Sequence, residues 1–587
     1  MSLLKKMEAT DAATIEAGRK TALTAKRTGF WRSHRWLMWT GCGLLVTLGA
    51  LTGALLVLAH RAEPLLRARI IEGLENHFHA RVELDSFHLT LRDGMWADGK
   101  GLRIWPPGDA GGVNVAGSAA HGSGGPLIRL AEFRFHAPLH YKPGEAIRVS
   151  VVQLKGLDVD VPPRSHFEHG AKGAKASPGQ VAKQPSIGSG LLHFEVESVE
   201  CNGAHLTIET SKPGKLPLEF AIAHLSLKGV RSGGAMGFEA ELTNPRPVGT
   251  IHTKGSFGPW QVEDPGESPV TGDYLFQNAD LSGFKGIAGI LSSTGHYQGT
   301  LREIVVDGET DTPDFRLTHF DTALSLHTKF HAIVDGTNGD TRLEPVEATL
   351  GQSHFWTRGQ IVRMAPEANG PTGRRAGGHD IALTVNVDRG RIEDFLRLAS
   401  HSGAPLLTGA LNMKARLEIP PGPVPVDERL KLDGTFALDD VQFTSAKIQD
   451  RIGGLSARGL GQPKAAKAGG ADVRSTMQGN FRMADGVVKL PALEYTVPGA
   501  VIDLKGSYAM DGGKLDFVGT AKMQATVSAM VGGWKGLLLK PVDRYFQKNG
   551  AGTEVPIHIN GTRENPQFGV DFGRMKGSSA QRPDETQ

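Results

Sequence analysis

Apolar and polar residues alternate with a period of two over most of the chain beyond residue 80. In residues 411–419 the apolar positions fall on one face and the polar positions on the other, and residues 514–523 repeat this arrangement. The same alternation covers 147–161, 191–208, 324–334, 381–387 and 501–508. It is typical of antiparallel strands that have one apolar face and one solvated face. The chain is therefore predicted to be mostly β.

Turn and helix signals fall between these runs. Asp-Gly pairs, which favour tight hairpin turns, occur at 307–308, 335–336, 433–434, 485–486 and 511–512. Helical periodicity is limited to 63–79, 281–291, 391–399, 445–458 and 526–548. These few short helices predict caps on a sheet rather than an alternating βαβ fold. A strand, an aspartate, a short helix and a strand entered through glycine recur at 278–301 and 387–411, which suggests a repeated sheet unit.

One long apolar segment precedes the strands. Residues 36–59 hold no charged side chain, and as a helix they would be roughly 36 Å long, enough to cross a bilayer. Lys and Arg are frequent before the segment, and Trp31, Trp36 and Trp39 lie at its start, where indole rings favour the headgroup region. The sequence thus predicts cytoplasmic residues 1–35, one N-terminal transmembrane helix over 36–60 and an exported remainder.

Two other interpretations of the apolar segment stay open. A cleaved signal peptide would have a shorter apolar region and a shorter charged lead. A lipoprotein signal ending at Cys42 would place the cysteine after the apolar run, whereas here it lies near the start. Gly49 and Gly53 form a GxxxG pair, a pattern that supports helix pairing but is common by chance in apolar segments.

The composition suits a β-rich exported protein. Its 587 residues include 76 glycines and 6% aromatics, and the net charge of +3 argues against the concentrated basic surface of a nucleic-acid-binding protein. The two cysteines, Cys42 and Cys201, lie in the predicted anchor and far along the chain, so no intrachain disulfide is expected. Stretches rich in Gly, Pro or Lys predict disordered inserts at 108–125, 162–189, 364–378, 461–471 and 573–587.

The sequence carries no recognisable catalytic or metal-binding motif. The GxSxG, HExxH, P-loop and GxGxxG patterns are absent. The nearest approach to a metal cluster, His166-Phe-Glu-His169, lies in a Gly- and Lys-rich loop without the second shell that fixes metal ligands. His77 and His79 are interpreted as surface residues, and Asp439-Asp440 as turn or cap residues. We therefore expect no enzyme activity, no cofactor and no metal.

Several short phrases occur in a recognisable order through the exported region. They are RVELDSFH (81–88), GLRIWP (101–106), LTNPRPVG (242–249), GSFGPW (255–260), FKGIAGILSSTG (284–295), DTPDF (311–315), VDGTNGD (334–340), LDGTF (432–436) and GTRENPQFG (561–569). As a set they resemble the AsmA-like membrane proteins of bacteria with two membranes. The resemblance runs from the anchor to about residue 572.

The resemblance implies a single inner-membrane anchor and a long periplasmic antiparallel sheet, in parts 61–270 and 271–572, that curls into a groove with an apolar inner face. Such proteins look like the bridge-like lipid transfer proteins and are implicated in moving phospholipids toward the outer membrane. About 20 strands at 4.8 Å spacing would give a groove of roughly 100 Å. The partners implied are phospholipid, the inner membrane and an outer-membrane or periplasmic protein.

A lipid groove also agrees with the lack of a sharp motif. An acyl chain leaving a bilayer loses about 0.8 kcal/mol per exposed CH₂, and a trough of scattered apolar side chains offsets this loss without directed hydrogen bonds. The candidate lipid-facing residues are Leu411, Met413, Leu417, Ile419, Leu515, Phe517 and Met523.

Alternatives stay open at this point. The apolar faces would equally suit the closed core of an envelope scaffold, or assembly factor for outer-membrane proteins, that uses its sheet edges. An enzyme or metal-dependent binder with an unrecognised site is the third possibility. The helix over 526–548 would either cap the sheet or lie on a membrane, through Val531, Trp534, Leu537, Leu538 and Val542.

Overall fold

The computed structural model describes residues 63–570 with internal gaps. The gaps are 65, 69, 76–79, 91–94, 106–124, 138–146, 162–193, 211, 213, 232–233, 262–263, 321, 371–372, 376, 401–403, 468–472, 532, 547–551 and 564. The predicted anchor, the histidines of the 166–169 cluster, His77, His79 and the inserts at 162–189 and 573–587 lie outside the described residues, as does nearly all of 108–125. Among the residues described, no helix is both long enough and apolar enough to cross a membrane.

The chain divides into two compact units, Met1–Leu65 and Leu66–Gln587, and the second contains all of the described strands. The first nine are β1 Val82–Thr90, β2 Met95–Ile104, β3 Ile128–Ala137, β4 Ile147–Val161, β5 Phe194–Ile208, β6 Leu218–Val230, β7 Met236–Pro245, β8 Val248–Phe257 and β9 Pro269–Asp280. The next nine are β10 Ile287–Ala288, β11 Ile290–Thr300, β12 Glu303–Leu317, β13 Leu324–Val334, β14 Thr341–Leu350, β15 Ser353–Met364, β16 Glu367–Gly370, β17 Gly373–Arg375 and β18 Gly378–Arg391. The last eight are β19 Leu407–Ile419, β20 Lys431–Phe443, β21 Ser475–Ala484, β22 Val487–Val497, β23 Ala500–Ala509, β24 Lys514–Met523, β25 Thr553–Thr562 and β26 Pro566–Val570.

These strands build one ladder. Twenty-three of them pair in chain order and curl into a half-barrel groove, and strands make up 65% of the structure. The short β10 pairs with β12 beside the ladder, and β16 and β17 form a separate hairpin. The ladder runs through residue 270 inside β9, so the two predicted parts of the groove belong to one sheet. The prediction of a mostly β, curled sheet is confirmed.

The prediction of an entirely antiparallel sheet is wrong at one pair. β4 and β5 are parallel, whereas the other pairs among the described strands are antiparallel. Parallel neighbours need a crossover of a dozen residues or more, and residues 162–193 between the two strands supply that length.

The period-two pattern locates strands well and the Asp-Gly signal less well. β4, β13 and β24 have the predicted bounds. The Asp-Gly pairs at 335–336, 485–486 and 511–512 form turns, and Asp485 and Gly486 have the positive φ values, 52° and 69°, of a type I′ hairpin turn. The prediction is wrong at 307–308 and 433–434, which lie inside β12 and β20.

Helices are few and short. Residues 66–68 and 70–75 are helical (α1), followed by α2 Ile392–Leu398, α3 Val426–Arg429, α4 Ala446–Gly459, α5 Val527–Val531 and α6 Gly533–Phe546. The helix predicted at 281–291 is wrong. That segment is a 3₁₀ turn, Leu281–Gly283, followed by β10 and the start of β11, because Gly286 and Gly289 adopt φ values of 100° and 141° that interrupt a helix.

Two segments predicted to be disordered contain local structure where they are described. Residues 364–378 include the hairpin of β16 and β17, and 461–471 include the 3₁₀ turn Ala465–Lys467. Backbone pairing at Glu367 and Arg375 gives the first segment its structure despite a composition rich in Gly and Pro.

The connections alternate between two edges of the sheet from β5 onward, because successive strands are antiparallel. The strands β9, β18, β20 and β24 end on the same edge. That edge carries the turn after β9, α2 after β18, α4 after β20, and α5 and α6 after β24. We call this the helix edge. The opposite turn edge carries the connections between β11 and β12, β13 and β14, and β21 and β22.

Loops of the helix edge contact loops of the turn edge further along the ladder. After β5, Lys215 Nζ lies 2.5 Å from Asp340 Oδ1 and donates to the Arg363 carbonyl at 2.6 Å, while Lys212 Nζ lies 3.0 Å from Asp335 Oδ2. Burial raises the pKa of Asp335, but hydrogen bonds from Thr337 and Lys212 outweigh it and hold that pKa below its usual value. We call this set of contacts the β5 latch.

Two further contacts join the same pair of edges. The Val426 amide before β20 donates to the Lys285 carbonyl after β9 at 2.9 Å. Arg563, between β25 and β26, donates to Ser400 Oγ, between β18 and β19, at 2.9 Å. The curl of the sheet therefore brings the helix edge and the turn edge into contact at three places.

Replacing Lys215 with Met is expected to loosen the β5 latch by about 2 kcal/mol, because Asp340 and the Arg363 carbonyl lose a buried charged donor. The Lys215 side chain is only 8% exposed. Hydrogen exchange of the amides at 335–340 reports the opening. The matched control is Lys212→Met, where the lysine is largely exposed and the expected loss is below about 1 kcal/mol. Equal acceleration in the two variants would contradict this assignment.

Candidate functional site: the inner face of the sheet

One row of residues crosses every strand of the ladder without a charge. Cα pairing links one residue per strand across all 23 strands. The row, which we call the central row, consists of Leu84, Leu102, Leu130, Leu157, Ala204, Ile222, Leu242, Ile251, Phe276, Ser293, Thr310, Thr328, Ala348, Phe355, Val387, Met413, Phe436, Gly479, Leu493, Leu504, Gly519, Ile557 and Val570. Twenty are apolar or glycine, and the other three are hydroxyl residues on β11, β12 and β13.

A second row on the same face repeats this character over eighteen strands. It runs through Phe87, Gly99, Phe133, Leu154, Cys201, Leu225, Ala240, Thr253, Tyr274, Gly295, Gly308, Phe330, Val346, Thr357, Val385, Ala415, Gly434 and Phe481. From β7 onward the two rows lie two residues apart on each strand, and side chains two residues apart share a strand face. In β1–β6 the rows lie three residues apart, and over β1–β4 residues of both rows pack in one buried apolar cluster. The two rows together therefore form an uncharged inner face several residues wide.

The outer face is polar over the same strands. One of its rows runs through His88, Asp98, Arg134, Gln153, Glu200, Ser226, Glu239, Lys254, Asp273, His296, Asp307 and His331. Polar side chains pair across it: Arg134 Nε lies 3.1 Å from Asp98 Oδ1, and His296 Nδ1 lies 3.0 Å from Asp273 Oδ1. The contrast between the faces shows that the absence of charge is specific to the inner face.

The inner face is covered by helices near the two ends of the ladder. Over β1–β4, Leu66, Ile70, Ile71 and Leu74 of α1 pack on a buried apolar cluster. Over β18–β25, α2 and α4 contribute Phe395 and Leu455, among others, to a second cluster.

Between these clusters a few inner residues, such as Ser293, Val346 and Ala348, are buried. Most of the inner side chains are half-buried and alternate with exposed outer ones, as in β11, β13 and β15. A closed core would leave them buried. The middle strands therefore line an open trough.

The seven predicted lipid-facing residues all lie on this inner face, with different exposure. Met413 belongs to the central row, and the others share its face through the period-two register of β19 and β24. Leu411 is 1% exposed inside the second cluster, and Phe517 is also buried. The remaining five, Met413, Leu417, Ile419, Leu515 and Met523, are half-buried.

The structure adds inner-face residues that the sequence did not single out. Tyr274, Ser293, Tyr297, Thr310 and Thr328 place hydroxyls on the face between β9 and β13. Their signal in the sequence is weak, since Ser, Thr and Gly among apolar residues blur the period-two pattern of these strands.

The described residues contain no group of three or more His, Cys, Asp or Glu side chains placed to hold a metal ion. Asp439 and Asp440 lie in β20, where Asp440 has a positive φ of 53° beside a register shift, the backbone of a bulge. Cys201 is a buried free thiol in the second row, and burial raises its pKa. No family model, curated protein or solved structure matches the chain. The inner face is thus the candidate functional site.

Proposed function

We propose that the chain binds phospholipids along its inner face and conducts them between the inner and outer membranes of a two-membrane envelope. In this proposal residues 36–59 anchor it in the inner membrane, residues 1–35 are cytoplasmic, and the sheet lies in the periplasm, as in the AsmA-like proteins that the sequence resembles. The protein carries no catalytic step and needs no cofactor or metal. Its role would be in outer-membrane lipid homeostasis.

The central row is the observation that supports this proposal. A moving acyl chain needs apolar contact at each step, since every exposed CH₂ costs about 0.8 kcal/mol. A single charged side chain in the row would impose a barrier of several kcal/mol on that path, and the row has none. A single curled sheet with a half-buried middle offers such a path.

The test is the lipid content of the purified full-length chain. After gentle extraction, native mass spectrometry is expected to show one or more phospholipids bound per chain. Bound lipid should survive dilution, because release exposes acyl chains to water. A chain that is free of lipid under every mild extraction, and stays so after incubation with phospholipid, would refute the proposal.

A second candidate, an envelope scaffold, is favoured by the last strand. β26 pairs with β25 on one side, and Phe568 and Val570 in it are exposed. An edge strand with exposed apolar side chains is suited to accept a strand from a partner. Site-specific crosslinking at residue 568 distinguishes the two, since a scaffold would give a protein adduct even when the inner face binds no lipid.

A further inference from the structure

Three aromatic rings lie directly over three strand glycines in the open trough. A Cβ added to Gly272 would lie 2.7 Å from Tyr297 Oη, and one added to Gly308 would lie 2.6 Å from Tyr274 Oη and 2.9 Å from Phe330 Cζ. A Cβ on Gly295 would lie 2.8 Å from Tyr274 Cε1. The glycines are needed because any side chain would displace the rings. We call Tyr274, Tyr297 and Phe330 the aromatic floor.

The hydroxyls of Tyr274 and Tyr297 both donate hydrogen bonds to neighbouring side chains. Thr253 Oγ1 donates to the Asp273 carbonyl at 2.9 Å, so in its 2.7 Å contact with Tyr297 Oη the tyrosine is the donor. Ser293 Oγ donates to the Glu309 carbonyl at 2.9 Å, so in its 3.0 Å contact the donor is Tyr274. Each phenol oxygen keeps acceptor capacity but has no proton left to give.

The electrostatics of the floor follow from this arrangement. Burial raises the pKa of Tyr274, and burial together with the negative charge of Asp273 raises that of Tyr297, so both phenols stay neutral at physiological pH. Neither inner row contains a Lys or Arg. A phosphate on the floor would therefore find neither a cation nor a free phenol proton, whereas a cation would find aromatic faces and phenol lone pairs.

We propose that the aromatic floor binds the ammonium group of an amine-bearing lipid headgroup. This deepens the proposed function, on which it rests, by assigning a headgroup preference to one part of the groove. The neighbouring inner-face residues are apolar toward β6 and β7, where Leu225 and Phe238 lie, and again from Val346 onward. The acyl chains of a lipid whose amine sits on the floor would therefore lie on apolar surface in either direction.

The experiment offers the full-length chain, in neutral detergent, equal amounts of phosphatidylethanolamine and phosphatidylglycerol with identical acyl chains. Native mass spectrometry then gives the ratio of the two lipids bound. The ethanolamine lipid is expected to be enriched about fivefold, the size of a partly desolvated cation–π contact. Tyr274→Leu and Tyr297→Leu should each reduce this ratio, and the double variant should bring it to one. Tyr→Phe changes, which keep the rings, should retain part of it.

Phe436→Leu is the matched control, because it removes a central-row ring in β20 that lies far along the ladder from the floor. Phe436 packs against the second cluster rather than the floor, so this change should leave the ratio unchanged. Free ethanolamine at the same concentration should not compete, because it has no acyl chains, and displacement by it would overturn the assignment to a lipid headgroup.

The two proposals fail differently in this experiment. Lipid bound with equal preference by the wild-type chain, or a ratio unmoved by the Leu variants, would refute the aromatic floor as an ammonium site while leaving the groove intact. A chain that takes up neither lipid would refute the groove itself.

Discussion

Phe276→Glu is expected to reduce phospholipid bound to the full-length chain by roughly tenfold or more, because an unpaired carboxylate facing an acyl chain costs several kcal/mol. Phe276 is the central-row residue of β9, half-buried in the open part of the trough. The carboxylate keeps water in the trough, and the acyl chain loses the apolar contact that the Phe276 side chain provides. Native mass spectrometry of bound lipid, and photo-crosslinking from inner-face positions on both sides of β9, measure the loss.

The adjacent residue supplies a control of matching chemistry. Leu275 lies one position earlier in β9, faces the outer side and is 37% exposed. Leu275→Glu should leave bound lipid within twofold of wild type, and both variants should keep the circular dichroism of a β protein. Loss of lipid in both variants, or in neither, would be incompatible with transport along the inner face.

Met413→Glu extends the same comparison to one of the predicted lipid-facing residues. Met413 is in the central row of β19, and Lys414 beside it already carries a charge on the outer face. Leu411 and Phe517 are poorer positions for such a charge, because they are buried within packed side chains and a carboxylate there would mainly destabilise the fold. Met413 is half-buried but packs against the second cluster, so Phe276 in the open trough is the position that separates lipid contact from folding.

The alternation of apolar and polar residues was sufficient to locate strands, because a strand with one apolar face shows this pattern within a few residues. The bounds of β13 and β24 follow directly from alternation in their own residues. The same alternation correctly placed the predicted lipid-facing residues of each strand on one face, since period-two spacing does not depend on which strands become neighbours.

Asp-Gly pairs gave wrong turn predictions where the glycine instead allows neighbouring strands to pack closely. Gly308 lies beneath two aromatic rings, and a Cβ on Gly434 would lie 2.3 Å from the Lys414 carbonyl. A glycine that permits such close approach has the same local sequence as one that permits a turn. The two cases differ only in neighbours that are far away in the chain.

Other features depend on residues that are still more distant in sequence. The β5 latch joins Lys215 to Asp340, and the parallel pairing of β4 with β5 depends on a long connection. The aromatic floor brings together Tyr274 and Tyr297 from β9 and β11 over glycines of three strands. None of these contacts leaves a periodic trace, so the sequence predicted the sheet and its apolar face but not how the face is closed or divided.

The second large effect is a loss of stability, expected when Asp394 in α2 is replaced. Asp394 in this helix is 3% exposed, and its Oδ2 accepts hydrogen bonds from the Gln352 amide at 3.0 Å and from Ser353 Oγ at 2.7 Å. These bonds tie α2 to the connection between β14 and β15 and hold its residue Phe395 against the second apolar cluster. Asp394→Ala is expected to destabilise this region by about 3 kcal/mol, because a buried charge-assisted network loses its acceptor.

Thermal unfolding of the full-length chain and hydrogen exchange at residues 392–398 measure this change. Asp394→Asn, which keeps one acceptor oxygen, should lose about 1 kcal/mol. Asp388→Ala changes an exposed carboxylate in β18, the strand that leads into α2, and should stay within about 0.5 kcal/mol. If exchange in α2 were unchanged in Asp394→Ala, the helix would not be held by this network. The apolar contacts of Phe395 and its neighbours with the second cluster would then be sufficient to hold α2 on the inner face.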